Sequence, residues 1–285
     1  MNNKSEEIIL GSLVADSYCL GAHWVYMKCH LENNELDWEN LNAPMSIFHK
    51  TKNKGDFTHI GDQNIWLYEY LKENKKFEPE TFINIWKNKM SSYEGYIDES
   101  SKETLRNLNI PLSLPCGGVS DDLSVIGRIS PLLLVSNTEE EFLKNVRAFI
   151  LLTHYSEIIK EASDYFAKVL WAVIHGADII ESFKSFKKPY THRLKEYATK
   201  GFGCDLDTYD AIREFGPACD IEEGMPGVIY LLNKYGNDYK TIMIENAKAG
   251  GDSSSRAMLI SMLLVAAHGK SIIPQNWINE MNYKI

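Results

Sequence analysis

The chain is short of cysteine, of positive charge, of long apolar runs and of period-two alternation, and each shortage removes a class of protein. Its five cysteines, Cys19, Cys29, Cys116, Cys204 and Cys219, are an odd number with no Cys-x-x-Cys pair. That excludes a disulfide framework and a zinc-finger type of site. Lys and Arg number 30 against 39 for Asp and Glu, giving −9 and a pI near 5.4. Such a chain lacks the dense cationic contacts that hold a phosphate backbone, so no nucleic-acid partner is expected. No apolar stretch reaches the roughly 18 residues of a membrane span, the longest candidate being Met258 to Ala267. The start, MNNKSEEIILGSLVADSYCLG, is acidic ahead of its apolar part and lacks the positive region of a signal peptide. No membrane partner is therefore expected, and the expected setting is a reducing cytoplasm, of the producing cell or of a host. Nothing in the sequence fixes an oligomeric state.

What the chain does have is a balance of 44% hydrophobic and 24% charged residues over 285 positions, enough for a sizeable core. It contains no linker, internal repeat or low-complexity tract, so the expectation is one domain over residues 1–285. Helical periodicity dominates. A first helix is predicted from near Ser5, with Ile9, Leu13, Asp16 and Leu20 on one stripe. A long irregular region, 23–54, follows. Pro79 opens a helix with Phe82, Ile85, Trp86 and Met90 on one face. Residues 91–115 show weak periodicity and stay unassigned. Thr138-Glu139-Glu140-Glu141 has the form of a capping box ahead of a helix to about Leu152, and Ser156 caps the next. Further helices are predicted near 190–199, 208–215, 222–234 and 238–248. The predicted fold class is all-α.

Three polar clusters stand at predicted helix starts. The richest is Gly250-Gly251-Asp252-Ser253-Ser254-Ser255-Arg256, which runs into the apolar segment Ala257 to His268. A cap needs one such residue, and a polar cluster on a buried helix is costly unless paired, so four in a row point to a site. Gly61-Asp62-Gln63-Asn64 opens a second helix. Cys116-Gly117-Gly118-Val119-Ser120-Asp121-Asp122 precedes a third apolar run, and glycines there would let the backbone approach a diphosphate. Asp16 lies in an apolar stripe, where an unpaired carboxylate is expensive, so Arg128 or Arg256 is the expected partner. His59 and His154 read as structural or loop histidines when taken alone.

Taken in this order, the clusters resemble those of the ADP-ribosylglycohydrolase family, the group of dinitrogenase reductase-activating glycohydrolase and the J1 crystallins, over most of the chain. Asp16 and Gly21 match the family's opening Gly-Asp-Ala-Leu-Gly. Gly61 to Asn64 stands where the family has Thr-Asp-Asp-Thr, Gly118 to Pro131 resembles its Gly-rich substrate loop and Arg-x-x-Pro, and Thr153-His154 matches its Thr-His. Gly250 to Ser255 stands for Gly-Gly-Asp-Thr-Asp-Thr. A register with Thr58 as the leading Thr would leave His59 and Ile60 at the acidic positions and is set aside.

The resemblance implies an orthogonal helical fold with a cleft, a Mg²⁺ cofactor of one or two ions, and hydrolysis of the bond between ADP-ribose and a side chain or small molecule. The implied partner is thus an ADP-ribosylated protein or an ADP-ribose-like small molecule. Implied catalytic residues are Asp62 and Asp252, implied metal ligands Asp62, Asp252 and Ser255. Implied substrate contacts are Asp16, Gly117, Gly118, Ser120, Asp121 and His154. Arg256 stands where the family has an apolar residue; four residues after Asp252, it is expected to pair with it on one helix face beside the cleft and to contact substrate there. Gln63 and Ser254 stand where the family has acids, and a Mg²⁺ pair depends on several hard anionic oxygens, so the metal centre is the implication this sequence weakens most. Two alternatives follow: a non-catalytic ADP-ribose-binding or crystallin-like structural member, and a metal-independent glycosidase in which Arg256 supplies the positive charge.

Overall fold

The computed structural model describes residues 2–32, 36–110, 114–185 and 192–285. Its axis is the helix Ser253–His268, buried without interruption from Ser253 to Ala266. A segment apolar on nearly every side cannot lie on a surface, and here it lies in the middle of the molecule. The opening helix Asn2–Cys19 packs along it. Gly11 makes that approach close, since a Cβ there would stand 2.6 Å from Val265 Cγ2.

Around this pair the chain is all-helical, as expected from its periodicity. Thr138 accepts a hydrogen bond from the Glu141 amide and opens Glu139–Thr153; Ser156 accepts from the Ile159 amide and opens Glu157–Ile174. The Pro79 helix is Pro79–Ser91. Near the later predictions lie His192–Gly203, Thr208–Phe215, Ile221–Tyr235 and Tyr239–Ala249; positions 190–191 of the first prediction fall outside the described residues. The first helix starts at Asn2, earlier than expected. The stretch left unassigned contains Glu99–Asn107, capped by Asp98, which accepts from the Ser101 amide. Among the described residues the one sheet is a pair of two-residue strands, Gly118–Val119 parallel to His154–Tyr155.

The irregular region 23–54 is ordered by contacts with the rest of the chain. Trp24, in the left-handed region at φ 60°, donates its amide to Gly251 O at 2.8 Å, and Gly251 returns its own amide to Val25 O at 2.9 Å. Gly250 and Gly251 both have positive φ, and a Cβ on either would stand 2.2 Å from a backbone oxygen, of Val25 and Pro217 respectively. Only glycine fits a backbone held this tightly on both counts. The central helix therefore begins where three segments of chain meet.

Candidate active site

Asp252 occupies the cap position of the central helix, yet its side chain makes no capping hydrogen bond. Its Oδ1 is buried with no hydrogen-bond partner of good geometry. Burial raises its pKa, and the nearby Ser255 and Arg256 only partly oppose this. Asp122, reached from the loop after Ser120, is raised too, first by desolvation and then by the negative charge of Asp252. Asp252 is buried and Asp122 half-buried, and the negative charge of the one disfavours ionisation of the other. Cys219 borders them, and burial pushes its thiol far up. Asp220, on the same rim, is raised to about 6 by burial and by Asp121 and Asp122.

His23 closes the other side. Its Nδ1 accepts from the Ser254 amide at 3.2 Å and lies 3.4 Å from Asp252 Oδ1. A ring nitrogen that accepts carries no proton, so His23 is neutral and this approach is not an ion pair. Desolvation holds its pKa well below the usual histidine range. Trp24 packs its ring on His23, His49 and His59, at centroid distances of 4.7, 5.2 and 5.3 Å, with Tyr96 and Phe48 edge-on around it. Both ring nitrogens of His49 and Nδ1 of His59 are buried without hydrogen-bond partners. Burial depresses these two rings to about 3 and about 4.

Asp16 is fully buried, but its partner is neither arginine. Thr58 serves it twice, with its amide at 2.9 Å and its hydroxyl at 2.6 Å. Thr58 is also the cap of the helix His59–Asn74, its side chain accepting from the Ile60 amide. Burial carries Asp16 to about 7 against the pull of Thr58. So the residue at this helix mouth is Thr58, and Asp62 sits a turn further in. There Asp62 Oδ2 accepts from both the Lys52 ammonium and the Tyr93 hydroxyl. Gln63 faces inward, its side-chain oxygen accepting from Trp86 Nε1 at 2.8 Å and from Arg128.

Arg256 was expected beside the cleft, paired with Asp252. Its Nε instead donates to Asn246 at 2.8 Å and its Nη2 to Gly250 O at 2.6 Å, so the guanidinium ties the end of Tyr239–Ala249 to the central helix. The glycine loop differs from expectation as well. The amide of Gly117 goes to Leu151 O, of Gly118 to Thr104 Oγ1 and of Val119 to Glu103. A Cβ on Gly117 would stand 2.6 Å from the His154 amide nitrogen. What these glycines admit closely is the chain itself, and their amides are not free to cradle a diphosphate. Ser120 accepts from the Asp122 amide, Asp121 is exposed, and His154 is buried against Ser100 Oγ at 3.1 Å.

Several residues at this site carried no weight in the sequence. Asp98 draws on His59, His154 and Arg128, whose charges, with the Ser101 amide, bring its carboxyl well below the usual range despite burial. Its signal was readable, an Asp three residues ahead of Ser101 at a helix start. Lys52, Tyr93 and His23 sit in irregular segments, His49 ends the one-turn helix Ile47–His49, and none had such a signal.

Residues 2–284 match the family model described as ADP-ribosylglycohydrolase. The chain belongs to the ADP-ribosylglycohydrolase family. Among relatives, it is 24% identical to Crystallin J1A of Tripedalia cystophora over 97% of this chain and 91% of that one, and 23% identical to Crystallin J1B of the same organism over 98% and 92%. A solved structure described as an ADP-ribosylglycohydrolase-related protein complex superposes with TM-score 0.69 at 15% identity, covering 99% of this chain and 93% of that one. At that identity the likeness concerns the fold.

The family's Mg²⁺ does not fit the residues present. Among the described residues no three His, Cys, Asp or Glu side chains are grouped to hold a metal ion. Of the residues implied as ligands, Asp62 is already bonded to an ammonium and a phenol, which leaves Asp252, with its unpartnered Oδ1, as the one carboxylate of that set, beside the neutral hydroxyl of Ser255. A dication needs anionic oxygens that are free to turn toward it.

Proposed function

We propose that this chain is a hydrolase of an ADP-ribosyl or closely related N- or O-glycosidic bond, and that Asp122 and Asp252 carry its proton transfers. The observation that supports this is the buried Asp252 at the cap of the central helix, its Oδ1 unpartnered, with the half-buried Asp122 near enough for the Asp252 charge to raise its pKa. Two neighbouring acids whose ionisations oppose one another can divide the roles, one protonated and the other ionised. The protonated member donates to the leaving nitrogen or oxygen as the bond to the anomeric carbon breaks. The ionised member takes a proton from the water whose oxygen forms the new bond. Ser255 and Arg256 moderate the charge of Asp252, and Asp16 with Thr58 holds the neighbouring helix mouth in place. Asp62, implied as catalytic by the family position, is assigned a holding role here.

The test is release of free ADP-ribose from arginine- and serine-modified peptides, followed by mass spectrometry. Asp122→Asn and Asp252→Asn are each expected to lower kcat by about 10²-fold or more. Absence of turnover on every such substrate, with and without Mg²⁺, would sink the hydrolase reading.

A second reading is favoured by the engaged amides of the glycine loop and by the crystallin relatives: a member that binds or merely folds, without turnover. Titration with ADP-ribose separates a binder from a structural protein, and saturable binding without product would select the former.

A further inference from the structure

We propose that the Lys52 ammonium stands in for a divalent cation at the first turn of His59–Asn74, so that this chain folds and keeps its site in order without metal. Asp62 is the one carboxylate in that first turn. Both of its bonded donors, Lys52 Nζ and Tyr93 Oη, converge on the same atom, Oδ2. The Lys52 and Asp62 side chains are only 14% and 15% exposed, which makes this the most enclosed lysine–carboxylate ion pair among the described residues.

The three partners come from three segments: the irregular region after Ile47–His49, the helix start, and the turn after Pro79–Ser91. A cation shared by separate segments is what a metal supplies when it clips loops to a helix, and here a side chain supplies it. One turn of neighbours completes the exclusion. Gly61 has no room for a side chain, because a Cβ would stand 2.2 Å from Asp16 Oδ2, and Gln63 has already met its positive partner in Arg128. A dication approaching Asp62 would have to displace Lys52 and would be repelled by it. The guanidinium of Arg256, the cation suggested by the sequence, points to Asn246 and Gly250 O and has no part in this.

The experiment uses the full chain, with Mg²⁺ and Mn²⁺ as probes in thermal unfolding and titration calorimetry. Wild type is expected to show the same Tm in EDTA and in millimolar Mg²⁺ or Mn²⁺, with no binding heat. Lys52→Met is expected to lower Tm by about 4 °C or more, and Asp62→Asn added to it to recover most of that loss, because the pair fails or stands together. Lys52→Arg, which keeps the charge, is expected to remain indifferent to metal. A wild-type Tm that rises with either ion, saturable metal binding, or a Lys52→Met protein as stable as wild type would overturn the proposal. If Lys52→Met does not fold, the wild-type and Lys52→Arg titrations still decide it. None of these readouts depends on turnover, so the hydrolase reading can fail while this one stands.

Discussion

The Gln63 side-chain oxygen receives the Arg128 guanidinium and the Trp86 indole N–H together, and all three residues are buried. Gln63 is thus the acceptor of a buried cation. Gln63→Leu would leave both donors without a partner and is expected to cost about 3 kcal/mol. Gln63→Glu keeps the acceptor and adds a charge opposite Arg128 but sets a carboxylate oxygen against His59 O, which now receives the Gln63 side-chain N–H at 3.1 Å, so its loss should be smaller, about 1–2 kcal/mol. Urea unfolding of the two variants measures the contrast.

Gly61 faces Asp16 so closely that a Cβ would fall 2.2 Å from Oδ2 and 2.9 Å from Phe57 Cβ. Asp16 cannot swing aside without breaking both bonds from Thr58. Gly61→Ala should therefore destabilise by about 2 kcal/mol, the scale of core overpacking, and Gly61→Thr by more. A melting series of wild type, alanine and threonine gives the order.

Arg256 is buried and bonded to Asn246 and Gly250 O. Arg256→Met should cost about 3 kcal/mol, as for removal of a buried hydrogen-bonded charge that leaves acceptors unpaired. Because its bonds run to structural partners, the loss should appear in global unfolding. A variant as stable as wild type would show that these contacts carry no net weight.

His49 is buried with neither ring nitrogen bonded, and burial lowers its pKa from 6.5 to about 3. Between those values the unfolded chain binds a proton that the folded chain does not, so stability falls as pH drops from about 6.5 toward 3. One such group contributes a slope of about 1.4 kcal/mol per pH unit inside that window. His49→Phe should remove that slope while keeping an aromatic ring beside Trp24. The comparison is made by denaturant titration at several pH values, because carboxylates such as Asp16, raised to about 7, tilt wild type in the opposite sense over part of the range.

Much of the fold was legible because helix signals are local. The caps Thr138 and Ser156, the proline at 79 and the apolar face of Pro79–Ser91 need only neighbours within a turn or two to act. The importance of Gly250 to Ser255 was legible for a similar reason: hydroxyls, a carboxylate and glycines cannot head a wholly apolar helix at random. The Glu99–Asn107 helix was missed, although Asp98 marks its start, since its body, ESSKETLRN, carries little apolar pattern.

The partners were another matter. Asp16 lies 42 residues from Thr58 and Gln63 lies 65 from Arg128, separations over which no periodicity speaks. Sequence placed Asp62 and Asp252 in one polar centre by family position, and Arg256 beside them by its spacing from Asp252. The packing gave Asp62 to Lys52, left Asp252 Oδ1 unpaired near Asp122, and turned Arg256 away. By itself the sequence determined a helical chain with costly polar residues at the head of its most apolar helix, because helix formation and burial follow from residue type and spacing. Only the tertiary structure decided which charges neutralise which, because that depends on what stands within a few ångströms once distant segments have closed around them.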